Sequence, residues 1–401
     1  MNKKIWVTSL LLSMGSTVWA DSTQDEIALL KEQLKMLTQK IEQLEEKTNT
    51  TEAEIKKVAE VKAEESSESW SDRITFSGDI RDRFEYIDER GKAVRTRNRV
   101  RFRLGATATV NDDLSVGFRL ATGSEDPTST NQTLDGAFST KDIRLDLAYF
   151  NYKLNSDLTL TGGKMKNPFY VPAKTPVFWD GDLNPEGFAL SYDKNGWNGS
   201  LAGFDVEERS AADDTLLFGG QLTKSLKLEG GSITAGMGYY DYQDLQGSTP
   251  LFDGKARGNT VDASGKIAND FNILEGLVEY KTKVATHPLT LFASYYQNTE
   301  ADDLDTGYAL GFGLGKVSDT GSWSLGYSYM DIEADAVYAL FNDSDFAGGE
   351  TDSKGHILKA GYGLRKNMAL GMTYISSEQD QSKASQNDYD RLQLDLAIKF
   401  K

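Results

Sequence analysis

From Ile74 to the C-terminus, apolar and polar residues alternate one by one. In residues 99–110, Val100, Phe102, Leu104, Ala106, Ala108 and Val110 alternate with Arg99, Arg101, Arg103, Gly105, Thr107 and Thr109. Near the end, Leu392, Leu394, Leu396, Ile398 and Phe400 alternate with Arg391, Gln393, Asp395, Ala397 and Lys399. A period of two places one set on each face of an extended strand. Sixteen such segments are expected, near 74–87, 96–110, 114–122, 142–154, 158–166, 187–193, 197–206, 215–226, 231–242, 273–281, 289–297, 306–317, 321–331, 354–364, 368–376 and 389–400. Their connections alternate in length. Short ones fall at 111–113, 155–157, 194–196 and 365–367, and long ones at 123–141, 167–186, 243–272, 332–353 and 377–388.

The apolar face carries aromatic residues at both ends. Tyr192, Trp197, Tyr280, Trp323 and Phe400 lie near short turns, and Tyr239, Tyr295, Tyr308, Tyr329 and Tyr374 near long loops. Two bands of amphipathic rings are what two membrane–water interfaces select. A secreted β-sandwich or β-solenoid would also alternate, but it buries its apolar face and needs no such bands. In a bilayer the sheet must close, because hydrocarbon satisfies no open strand edge. The expected fold is an all-β, 16-stranded antiparallel transmembrane β-barrel over 74–401, with both termini on the short-turn side. Asp82 is the one conflict: it falls on the lipid parity, which a bulge or an interface position there would accommodate.

Upstream the period changes. Ile27, Leu30, Leu34, Leu37, Ile41, Leu44, Thr48, Thr51, Ile55 and Val58 follow 3–4 spacing with Glu, Lys and Gln between them. That two-in-seven stripe predicts a helical coiled-coil segment over 21–58, in the periplasm and reaching toward the cell wall. Residues 59–73 read as an acidic linker. Residues 1–20 read as a signal peptide: Lys3 and Lys4, a short apolar run from Ile5 to Leu12, then Val18-Trp19-Ala20.

Composition narrows the chemistry. The 401 residues carry net charge −17, no Cys and two His, so thiolate sites and multi-His metal sites are excluded and no cofactor is expected. A pI near 4.7 argues against nucleic-acid binding. An outer-membrane lipase would need Ser, His and an acid on the lipid-facing wall. His356 has that parity, yet no nucleophile or orienting residue accompanies it, and no enzyme is expected.

The polar parity then becomes the lumen. Arg81, Arg83, Arg99, Arg101, Arg103, Arg119 and Arg144 recur on four consecutive strands and outnumber the carboxylates Asp79, Glu85 and Asp146 interleaved with them. Residues two apart on one strand lie about 6.8 Å from each other, so the patch is dense. The long segment 167–186 holds Pro168, Pro172, Pro176 and Pro185 with Phe169, Trp179, Asp180, Asp182 and Glu186. Prolines and aromatics make a stiff loop, and one that folds inward would set its acids against the arginines across a constriction. Weak anion preference or near neutrality is expected. A structural tether or adhesin with a largely closed barrel is the alternative.

Gly163-Lys164-Met165-Lys166-Asn167-Pro168-Phe169 and Trp179-Asp180-Gly181-Asp182-Leu183-Asn184-Pro185-Glu186-Gly187 resemble Gram-negative outer-membrane porins, in particular those with an N-terminal coiled coil. The resemblance spans the export segment, the heptads and the strand ladder. It implies passage of small hydrophilic solutes, a pore narrowed by the third loop, and a homotrimer embedded in outer-membrane lipid. One departure is terminal: such barrels commonly end in an aromatic residue, and here Lys401 follows Phe400.

Overall fold

The computed structural model describes residues 23–64, 70–175 and 177–401; the expected export segment lies outside them. The chain divides into two units, one ending at Ser69 and one beginning at Trp70. In the first, helix α1 spans Thr23–Glu64. Its seam residues Leu34, Leu37, Ile41 and Leu44 are all exposed on the single chain. The helix continues past residue 58 into the stretch expected as linker, since 59–64 is rich in Ala, Glu and Lys, which are good helix formers.

The second unit is a closed antiparallel barrel. Its strands are β1 (Ile74–Glu89), β2 (Arg95–Thr109), β3 (Leu114–Thr122), β4 (Gln132–Thr133), β5 (Ile143–Lys153), β6 (Leu158–Lys164), β7 (Glu186–Lys194), β8 (Trp197–Glu207), β9 (Thr215–Leu228), β10 (Gly231–Gln243), β11 (Asn272–Val284), β12 (His287–Asn298), β13 (Thr306–Gly315), β14 (Trp323–Ile332), β15 (Ser353–Arg365), β16 (Met368–Gln379) and β17 (Asn387–Phe400). β4 is a two-residue pairing of the loop between β3 and β5 with β2. The other sixteen strands form the barrel, each paired with its neighbours, and β1 pairs with both β2 and β17. Closure leaves no free edge, the condition hydrocarbon imposes. At the seam, Gly78 lies opposite Phe400. A Cβ at Gly78 would fall 2.4 Å from the Phe400 ring and 2.3 Å from the Arg103 carbonyl oxygen, so only glycine fits.

One end of the barrel carries tight turns. Asn195 and Gly196 connect β7 to β8 with φ of 51° and 79°, the left-handed pair that two-residue hairpins require. The opposite end carries the long loops 123–142, 165–185, 244–271 and 333–352. Alternation of burial matches the pattern in the sequence. On β1, Phe76, Ile80 and Phe84 are exposed, whereas Arg83 and Glu85 are buried. The exposed apolar wall is the lipid surface. At the short-turn end Trp197 stacks under the Lys224 ammonium at 4.7 Å, and Trp323 packs on His287 with centroids 4.7 Å apart. His356 stands on the outer wall with Nδ1 3.0 Å from the Tyr327 hydroxyl.

No bulge removes Asp82 from that wall. The registers of β1 with β2 and with β17 run unbroken through it, opposite Val100 and Leu396. Two closed neighbours pin its parity, so it remains exposed between Ile80 and Phe84.

Candidate functional site

The inner faces of β1, β2 and β17 bring together charges that are far apart in sequence. Cross-strand partners on β1 and β2 are Asp79 with Arg103, Arg81 with Arg101, Arg83 with Arg99, and Glu85 with Arg97. β17 closes against β1 and adds Arg391 and Asp395. Arg83 forms a bidentate pair with Asp395 at 2.6 and 2.8 Å. Arg101 and Arg103 share Asp79, at 2.9 and 2.8 Å. Glu85, fully buried, receives Arg97, Arg391 at 2.8 Å, Arg83 at 3.5 Å and Arg99 at 3.8 Å. Arg81 donates to the Asn131 side chain at 2.6 Å, and Arg99 to the Asn131 carbonyl at 3.2 Å. Arg119 pairs with Asp146. Arg144 stands apart: its side chain is 43% exposed and, among the described residues, its carboxylate partners are Glu125 and Asp142, at 3.5 and 3.6 Å.

The loop 165–185 touches two distant stretches of this wall. Phe169 packs on Tyr240 of β10 and Phe204 of β8, with centroids 5.0 and 6.2 Å apart. Trp179 lies against Phe169, Phe178 and Tyr240. Both rings are buried, so they anchor the loop rather than face solvent. Glu279 on β11 holds the first half, accepting the Tyr170 hydroxyl and the Ala173 N–H. From the second half, Asp182 lies 3.3 Å from Arg103 and 3.6 Å from Arg101 and accepts the Thr130 hydroxyl at 3.1 Å. Glu186, the first residue of β7, is exposed and pairs with Lys164 at 2.7 Å.

A second loop, 333–352, also packs inside, where the sequence predicts only an ordinary long connection. Ala336, Val337, Tyr338, Phe346 and Ala347 on it are buried. It joins the first loop: the Asp180 N–H donates to the Phe341 carbonyl at 2.8 Å, and the Asp180 carboxylate accepts the Ser344 N–H at 2.9 Å. Its Asp345 lies 2.8 Å from Arg391 and 3.3 Å from Arg83. Burial would raise the Asp345 carboxyl, but the Arg391 and Arg83 guanidiniums hold it well below the usual range. Asp343 is pushed up to about 6, by burial first and then by the charge of Asp345. Burial, then Asp343, also pushes Asp180 upward.

Between the two loop tips and the arginines lies a cavity of about 340 Å³, lined by Arg81, Arg101, Lys174, Asp182, Asp343 and Lys359 among others. Among the described residues no group of acids or His could hold a metal ion. Arg97, Arg391, Asp345 and Asp395 belong to this cluster and were missed by the sequence reading. Arg391 and Asp395 sit on the polar parity of the last strand, and only closure of the barrel reveals their neighbours.

The comparisons agree with this architecture. The family model described as Putative porin matches residues 89–271 and 274–400. OprB of Pseudomonas putida superposes with a TM-score of 0.57 at 12% identity, covering 82% of this chain and 94% of that one. An engineered porin of Rhodopseudomonas blastica superposes with a TM-score of 0.51 at 16% identity, covering 82% of this chain and all of that one. No curated protein sequence matches the chain. At these identities the two structures speak for the fold alone, a porin-type barrel. The family match covers most of the sequence, and the chain therefore belongs to the putative porins, channel-forming barrels of the outer membrane.

Proposed function

We propose that the barrel is a water-filled channel for small hydrophilic solutes and ions, narrowed where the loop 165–185 meets the arginine-rich wall. The observation that carries this reading is the span of that loop. Phe169 is held by Tyr240 on β10, while Asp182 reaches Arg103 on β2, about half-way round the ring of strands. A loop fixed at both sides crosses the lumen instead of capping it. Arg81, Arg83, Arg99, Arg101, Arg103 and Arg119 then form one side of the constriction, and Asp180 and Asp182 the other, joined by Asp343 and Asp345. Opposed rows of charge set a transverse field that orders water and sorts solutes by charge and dipole.

Assembly as a homotrimer, with α1 as a periplasmic coiled coil, rests on the exposed heptad seam and on the resemblance to trimeric porins. A two-in-seven apolar seam is buried only by another helix.

Gly181→Trp tests the channel path. Gly181 lines the cavity, and a Cβ built there meets nothing within 4 Å, so the fold tolerates the change. Stepwise conductance in planar bilayers is expected for the wild type, with a clearly smaller step for the variant. An unchanged step would place the conducting path elsewhere, and no steps at all would favour a closed tether.

A further inference from the structure

Most of the wall arginines are already compensated; Arg81 is the weakest paired, with Asp395 at 3.9 Å. Arg101 and Arg103 share Asp79 and Asp182, Arg83 has Asp395 and Asp345, Arg97 and Arg99 have Glu85, and Arg119 has Asp146. A guanidinium paired with a carboxylate has less left for a passing anion.

Three lysines near the same space differ. Lys166 and Lys174 lie on the loop 165–185 and Lys359 on β15, and all three are exposed. Among the described residues, none of them has a carboxylate in salt-bridge contact. Lys174 and Lys359 line the 340 Å³ cavity, a size within the range of about 300–1,000 Å³ typical for small-ligand sites.

The backbone under Lys174 is strained toward this placement. Ala173 and Lys174 both adopt left-handed φ, 48° and 56°, which side chains with a Cβ rarely do. The turn is clamped rather than loose: Glu279 accepts the Ala173 N–H at 2.6 Å and the Tyr170 hydroxyl, and the Lys174 N–H returns to the Val171 carbonyl at 3.1 Å. Residues forced into such regions by their surroundings cluster at sites that hold ligands. Lys166 sits in a field of like charge. Arg119, Arg103 and Lys174 all act on it with like charge, and Asp146 opposes them. An ammonium group with no carboxylate in salt-bridge contact keeps donors free for an incoming anion, even in a cavity that Asp180, Asp182, Asp343 and Asp345 also line.

We propose that Lys174 and Lys359 form an anion site in the lumen cavity, with Lys166 on the same loop adding to its field, and that the site takes a small solute bearing a carboxylate or a phosphate. The site rests on the channel reading above and deepens it: the arginines build a compensated wall, and the lysines capture.

The test uses the full-length protein in planar bilayers with inorganic phosphate or succinate added at constant KCl. In the wild type, either probe should reduce the chloride current in a saturating manner. Lys174→Gln should raise the half-blocking concentration about threefold, as expected for losing one exposed charge contact, and the triple Lys→Gln variant should abolish the block. Lys174→Arg should retain it, and Lys255→Gln, in an outer loop, should leave it unchanged. Block by phosphate alone, or by succinate alone, supports the site and assigns its anion. Equal block in the wild type and the triple variant, or no block by either probe in a conducting wild type, overturns the site while the channel stands. A wild type that passes no KCl current removes the channel reading and the site with it.

Discussion

Glu85→Gln removes one charge and almost no volume from the centre of the arginine cluster. Glu85 is 0% exposed. Arg97 and Arg99, with side chains 16% and 12% exposed, have no other carboxylate partner among the described residues. Arg83 and Arg391 retain Asp345. Taking one member out of a buried ion pair costs about 3–5 kcal/mol, because its partner stays desolvated and unpaired. The two arginines keep some access to water, so a loss near the lower end, about 3 kcal/mol, is expected. The assay is denaturant unfolding of the refolded barrel in micelles, followed by tryptophan fluorescence. The midpoint should fall with the slope unchanged. Asp388→Asn is the control. Its partner Arg90 and Asp388 itself are both more than half exposed, and such pairs contribute at most about 1 kcal/mol. Glu85→Gln should also move the reversal potential toward anions, since the lumen loses a negative charge. If Glu85→Gln costs no more than Asp388→Asn, the buried cluster does not stabilise the barrel and the reasoning fails.

Three further outcomes are expected. The Asp343 carboxyl, raised to about 6 by burial and by Asp345 against the opposing Lys359 and Arg391, holds its proton more tightly folded than unfolded. Its contribution to stability is therefore complete below the ordinary carboxylate value of 3.8 and lost as pH rises through about 6; as pH falls from 7 to 5 the reversal potential should drift toward anions, and Asp343→Asn should remove the drift. Because the chain has no Cys, single cysteines report topology cleanly: a fully exposed Phe138→Cys should react with an impermeant reagent on intact cells and Asn195→Cys should not, and the reverse pattern would invert the orientation. Ile41→Asp places a charge in the heptad seam and should weaken helix association; a native mass that is monomeric already for the wild type would remove the trimer.

Much of the barrel is legible because its physics is local. A strand half in lipid must alternate, and Val100 to Val110 do so without exception. The arginines at 99, 101 and 103 share a face for the same reason. What the sequence hides depends on closure and on loop paths. Asp395 and Arg391 meet Arg83 and Glu85 only because the last strand returns to the first. Asp345 reaches the cluster because Ala336, Val337 and Phe346 supply enough apolar surface to bury their loop inside, and no periodic pattern announces that. Phe169 and Trp179 read as features of a constriction, whereas their rings are packed out of solvent and hold the loop 165–185 against Tyr240. Lys174 gave no signal, since its position depends on a left-handed turn that Glu279 holds in place. Asp82 was legible as a conflict and remains one, because neither neighbouring register relaxes to admit a bulge.

The meeting of Gly78 and Phe400 has a consequence for how the molecule forms. It joins residues from opposite ends of the barrel sequence, so it is among the contacts with the greatest loop-closure cost. The hairpins between successive strands can assemble early, but the seam cannot zip until the final strand is in place. Until then β1 and β17 are long strands with unpaired backbone and an apolar face, which is the form most prone to associate with other chains. Phe400 passes over Gly78 because no side chain stands in the way, and a substitution there would act less on the finished pore than on the fraction of chains that ever become one.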